Sequence, residues 1–328
     1  MRGLVRVELT RLRWRRAAVL LVLAAVVVAS VVFAVTAWNT RPATEADRQR
    51  VERLVERETQ QPYTQRELRK CLKHPERYGV DGTDVQAGCE DMTLPQPDWF
   101  GTRPTLSLDD ERSGGSGLVV ATILAMLLLL LGATFAGHDW NSGSMSNQLL
   151  FEPRRARVWA AKAVAVLLAG LVVAGGVLLV FWGGLWWLSE LRGLPLRDGV
   201  LGDVGTQVWR MTLVAALAGA GGYALTMLFR STVATLGVLF ALSVLAPVLI
   251  SLVAFPGHQR VLPQNNFVAV ATDGYTVEDY DSLECQQENR PASCTIRISA
   301  ADGAAYGGAL LLLAGVPSVL SFRRRDVP

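Results

Sequence analysis

The chain has 328 residues, is 51% hydrophobic and 19% charged, and carries a formal net charge of +3. Its mean hydropathy is +0.29, and the charge is gathered into blocks between apolar runs of about 20 residues, the length of helix that spans a bilayer. That distribution excludes a soluble globular protein and predicts an all-α integral membrane protein.

Arg2, Arg6, Arg11, Arg13, Arg15 and Arg16 lead into the first apolar run, Ala17–Trp38. Residues 1–16 read as an amphipathic interfacial helix, with Leu4, Leu9 and Leu12 on one face and arginines toward headgroups. The run is too long for a secretory signal, whose apolar core is about 7–15 residues, so it is predicted to be an uncleaved span. Five more follow: Gly117–Gly137, Ala163–Ser189, Met211–Phe229, Ser231–Phe255 and Gly303–Phe322.

Between the first two spans, residues 39–116 predict a small subdomain. Val51, Leu54 and Val55 recur at helical spacing among alternating charges, and "TQRELRKCLKHPERYG" reads as a second helix stopped by Pro75 and Gly79. "DDERSGGSG" reads as a flexible lead into span two. Trp182, Trp186 and Trp187 close span three as an interfacial anchor. A short loop, 190–210, leads to span four, where Ala215, Ala218, Gly219 and Gly222 let helix backbones approach closely. Arg230 and Ser231 make a tight turn into span five. Residues 256–302 predict a second loop subdomain with strands at Phe267–Ala271 and around Ile296 and Ile298, and a turn at Asp273–Gly274. Pro247 and Pro317 fall inside spans five and six.

Arginine placement sets the expected orientation. The N-terminal block, Arg154, Arg155, Arg157 and Lys162 in the connector 138–162, and Arg323, Arg324 and Arg325 in the tail 323–328 all belong on the cytoplasmic side. Both long loops then lie outside. Cys71 and Cys89 fall in one of them, Cys285 and Cys294 in the other. Disulfides persist in oxidising compartments, and short separations close easily, so local pairs Cys71–Cys89 and Cys285–Cys294 are expected among three possible connectivities. The cysteines lack zinc-ligand spacing. Lysine is rare (Lys70, Lys73 and Lys162 only), a composition of GC-rich bacterial genomes.

Candidate chemistry is mostly absent. No lysine follows a glycine, so no Walker A loop exists. Gly143-Ser144-Met145-Ser146-Asn147 lacks the last glycine of a nucleophile elbow and the strand before it. The six spans as bounded above hold no Asp, Glu or His, which argues against ion-coupled transport; Lys162 and Arg210 are read as snorkelling at span edges. No catalytic residue, metal site or resident cofactor is expected, and nothing calls for nucleic acid. In the connector, Asn141 or Ser142 is a candidate cap for a short helix. Met145, Leu149 and Leu150 would form its apolar docking face.

"HDWNSGSMSNQLLFEPRRARVWAAK" resembles the cytoplasmic connector of permease subunits of type-2 ATP-binding cassette (ABC) exporters. Asp139, Gly143, Ser144, Leu149, Leu150, Pro153, Arg154, Arg155 and Lys162 match the family's pattern in order. "LFRSTVATLGVLF" and "SFRRRDVP" resemble its turn between spans four and five and the basic ending of actinobacterial members; the large outer loops depart from it. The resemblance implies a permease that pairs with a second permease, a copy or a paralogue. It docks on two separate ATPase subunits that bind ATP and magnesium, and exports a hydrophobic or amphipathic substrate. The coupling helix would lie at about Ser142–Glu152, with Asp139, Gly143, Ser144, Met145, Leu149, Leu150, Pro153, Arg154 and Arg155 forming the docking region. The rival expectation is a non-transporting membrane scaffold or sensor whose disulfide-bearing loops bind a partner.

Overall fold

The computed structural model describes residues 1–80, 84–100, 104–253, 257–278 and 294–324. Cys285, the end of span five at Phe255 and Arg325 lie outside the described residues, so the predicted Cys285–Cys294 pair is not assigned. The chain divides into two compact units, Met1–Ala34 with Ser107–Pro328, and Val35–Leu106.

In the larger unit, helix α1 (Arg2–Arg13) is followed by α2 (Arg16–Asn39), which carries the first apolar run across the unit boundary. After the smaller unit come a short helix at Leu108–Ser113 and then Ser116–Asn141, Ser144–Phe151, Arg155–Leu191, Val200–Phe229 and Thr232–Val253. Among the described residues, six helices are long and apolar enough to cross a membrane, one for each predicted run. The protein is an all-α, multi-pass membrane protein.

The smaller unit holds α3 (Glu45–Thr59), α4 (Pro62–Lys73) and α5 (Val85–Thr93). Thr44 and Asp47 close a capping box on α3: the Thr44 hydroxyl oxygen accepts from the Asp47 N–H, and the Asp47 carboxylate accepts from the Thr44 N–H. Pro62 starts α4 where its missing N–H costs nothing. The Cys71–Cys89 disulfide joins α4 to α5 across 18 residues, with both cysteines fully buried. Closing a loop of that length stabilises a fold by about 3 kcal/mol, an appropriate staple for a unit this small. Lys70 and Tyr78 donate to the Glu67 carboxylate, and these bonds hold its pKa below the usual value. The contact therefore contributes above the ordinary Glu pKa and is lost as pH falls through the lowered one.

In the larger unit, α6 is Leu108–Ser113, α7 Ser116–Asn141, α8 Ser144–Phe151, α9 Arg155–Leu191, α10 Val200–Phe229 and α11 Thr232–Val253. Beyond these lie α12 (Pro263–Thr272), a two-stranded antiparallel ribbon of β1 (Tyr275–Glu278) and β2 (Thr295–Ile298), and α13 (Ala300–Arg324). Helix α10 packs extensively and closely against α7. A Cβ built on Gly132 would sit 1.9 Å from the Gly219 carbonyl oxygen, and one on Gly222 would sit 2.2 Å from that of Leu129. Helix association in lipid lacks a hydrophobic drive and depends on such close backbone contact. Gly222→Val has backbone to displace, so it is expected to abolish monodisperse protein on size exclusion in mild detergent. Gly237→Val, which meets nothing within 4 Å, leaves the elution unchanged.

Several local expectations are corrected. The "DDERS" lead is helical (α6) because the Ser107 hydroxyl accepts from the Asp110 N–H, capping it. Phe267–Ala271 is no strand but part of α12. Its buried positions, Asn265, Asn266, Ala269, Val270 and Ala271, recur at helical spacing, and Gly303 of α13 packs against the Asn266 carbonyl. The Asp273–Gly274 turn is present, with both residues at positive φ, and Ile296 and Ile298 do lie in a strand. Trp182 is buried against Gly117 and Phe181, while Trp186 and Trp187 are exposed. Arg210 lies within α10 and pairs with Asp273 at 2.7 Å. Arg230 adopts a left-handed conformation in the tight turn between α10 and α11.

Candidate functional site

The conspicuous local construction is the connection from α7 to α9. Ser142 ends α7, its hydroxyl donating back to the His138 carbonyl at 2.7 Å, and Gly143 reverses the chain at φ +66, a conformation that favours glycine. Helix α8 then runs eight residues before the chain leaves through Glu152 and Pro153. Neither Asn141 nor Ser142 caps it: Asn141 belongs to α7, and the N-cap position is Gly143, which offers no side chain.

The predicted docking face is divided. Met145 is 1% exposed and points into the bundle. Leu149 is half-buried, whereas Leu150 and Phe151 are 80% and 92% exposed. Pro153 and Arg154 are exposed and Arg155 is half-buried. The Gln148 carboxamide, nitrogen and oxygen both buried, has no hydrogen-bond partner among the described residues. One end of α8 is thus fixed to the bundle, and the other presents two large apolar side chains. Phe151, next to the Leu149–Leu150 pair in the sequence, extends the apolar tip and is its most exposed member.

Beneath α8 lies a buried charge cluster. Asp139 and Lys162 are both fully buried, and Glu8 of α1 nearly so. The Lys162 ammonium donates to Asp139 Oδ2 at 2.5 Å and to Glu8 Oε2 at 2.9 Å. Arg15 pairs with Asp139 Oδ1 and donates to the Phe135 carbonyl at 2.6 Å. Its guanidinium lies 4.5 Å from the Phe135 ring centroid. Ser144, the first residue of α8, donates to Asp139 Oδ1 at 2.8 Å. Two carboxylates and two cations balance, with Arg11 reaching Glu8 at 3.4 Å from the rim. Asp139 therefore ties α8, α9 and the α1–α2 elbow to the end of α7, and Glu8 brings α1 in through Lys162.

This corrects two expectations. Lys162 does not snorkel but is the centre of the cluster. Helix α7 continues past the predicted end of span two and buries Asp139, so the spanning helices are not free of acidic groups. All four charges are partnered, however, and Asp139 and Lys162 lie within about two turns of their helix ends. Asp139, Ser144 and Lys162, read separately in the sequence, meet here. Glu8 and Arg15 were not anticipated. The available signal for Glu8 was its being the one acid among the six arginines of residues 1–16.

Comparison with known protein families, with curated proteins and with solved structures gives no match.

Proposed function

We propose that this protein is the permease subunit of a type-2 ABC exporter of the cell membrane. The observation that carries the reading is α8, a short helix tied to the bundle at Ser144 and Met145 with Leu150 and Phe151 uncovered. A passive topogenic loop needs no such helix. In this reading α8 is the coupling helix and enters a cleft of a separate ATPase, which binds ATP and magnesium. ATP-driven closure there pulls on Asp139 through Ser144 and is passed to α1, α7 and α9.

The arginines near the helix ends support a topology with both termini and α8 in the cytoplasm and the two large loops outside. The working assembly has two ATPase subunits and two permeases, and the apolar spans suit a hydrophobic or amphipathic cargo. The test is co-expression with an ABC ATPase encoded beside this chain and purification in mild detergent. A stable complex with ATPase activity is expected. Recovery of the chain without any ATPase would favour the scaffold or sensor reading instead.

A further inference from the structure

At the elbow between α1 and α2 lies a cavity of about 330 Å³. Its floor is apolar, formed by Ala18, Leu131 and Phe135, and its rim carries Trp14, Arg15, Arg16 and His138. Among the described residues, no acidic side chain lines it. Arg15 is occupied by Asp139 and the Phe135 carbonyl. Arg16 and His138 are exposed, and neither side chain has a hydrogen-bond or ion-pair partner among the described residues.

The depth of this cavity follows from the sequence around it. Charge is dense up to Arg16 and absent from Ala17 to Trp38, so the elbow sits where headgroups meet acyl chains. Trp14, 78% exposed, is the aromatic type that settles at that level. Below the cavity, Val19, Leu20, Leu23 and Val27 of α2 are all exposed, an apolar track for an acyl chain. A cationic rim over an apolar floor, continuous with a lipid-facing helix, has the chemistry of a headgroup pocket.

We propose that the α1–α2 elbow binds an anionic phospholipid, its phosphate held by Arg16 and His138 and its acyl chain laid along α2. Because Arg15 lines the same cavity and holds Asp139, an occupied pocket also steadies the end of α1 over the charge cluster. The inference rests on the membrane-spanning reading and is independent of any ATPase.

The experiment is a thermal-unfolding titration of the purified full chain in mild detergent with phosphatidylglycerol, phosphatidylcholine or inorganic phosphate. Phosphatidylglycerol is expected to raise the midpoint, and the other two are not. Arg16→Gln/His138→Gln should weaken the apparent affinity by about fivefold for the one arginine charge removed, while leaving the lipid-free midpoint in place, since both side chains are exposed. Arg2→Gln/Arg6→Gln, on exposed α1 positions away from the cavity, should keep the full response. An equal effect of phosphatidylcholine, or a full effect of inorganic phosphate alone, would overturn the proposal. So would an unchanged titration in the Arg16/His138 variant, or an equal loss in the Arg2/Arg6 variant, which would mean diffuse attraction.

Discussion

Lys162→Met is expected to destabilise the protein by about 3–5 kcal/mol, the usual cost of stranding a buried charge. The lysine is fully buried and joins two carboxylates, Glu8 and Asp139. Removing its ammonium leaves two acids facing each other, with Arg15 to satisfy one and Arg11 only at 3.4 Å from the other. A methionine fills much of the same volume, so the loss reports charge more than packing. Thermal unfolding in detergent should show a sharply lowered midpoint and a poor yield of monodisperse protein. Glu8→Gln/Lys162→Met removes one charge of each sign and leaves the Asp139–Arg15 pair balanced; it should recover a good part of the loss. An unchanged midpoint in the single variant would show that the cluster does not hold the helices together.

Features written in one local stretch were legible in the sequence. Each span is a charge-free run, and nothing but a helix satisfies its backbone in lipid. Gly219 and Gly222 were readable as a close-approach surface because small residues have one packing use in lipid. Cys71 and Cys89 were readable as a pair because 18 residues close easily.

What could not be read depends on residues far apart. The Glu8–Lys162 bond joins positions 154 apart, and no local pattern announces it. Lys162 at a span edge fits snorkelling equally well until α1 is known to lie over it. Met145 and Leu149 share helical spacing, yet only the bundle decides which apolar side chains of α8 turn inward. The apolar run from Phe267 to Ala271 suits a strand or a helix; its packing against Gly303 decides for α12.

The second large effect is expected at the tip of α8. Leu150→Glu/Phe151→Glu should reduce ATP hydrolysis by the permease–ATPase complex by at least about tenfold. Burying each such side chain in a partner contributes about 1.5–3 kcal/mol, and a charge there must be desolvated as well. Both positions are exposed in the isolated chain, so the permease alone should keep its unfolding midpoint. Met145→Glu is the contrasting variant: its side chain is buried in the bundle, and it should lower the midpoint itself. Full hydrolysis by the Leu150/Phe151 variant would remove α8 from the coupling path.

In the exporter reading, α8 sits on the cytoplasmic side and touches an ATPase. This placement is tested most directly by Phe151→Cys in inside-out membrane vesicles containing the complex, with a short bifunctional thiol reagent. Position 151 is expected to label from the cytoplasmic face and to cross-link to the ATPase with a yield that changes with ATP. Labelling from the outer face only, or no cross-link to any ATPase, would contradict it.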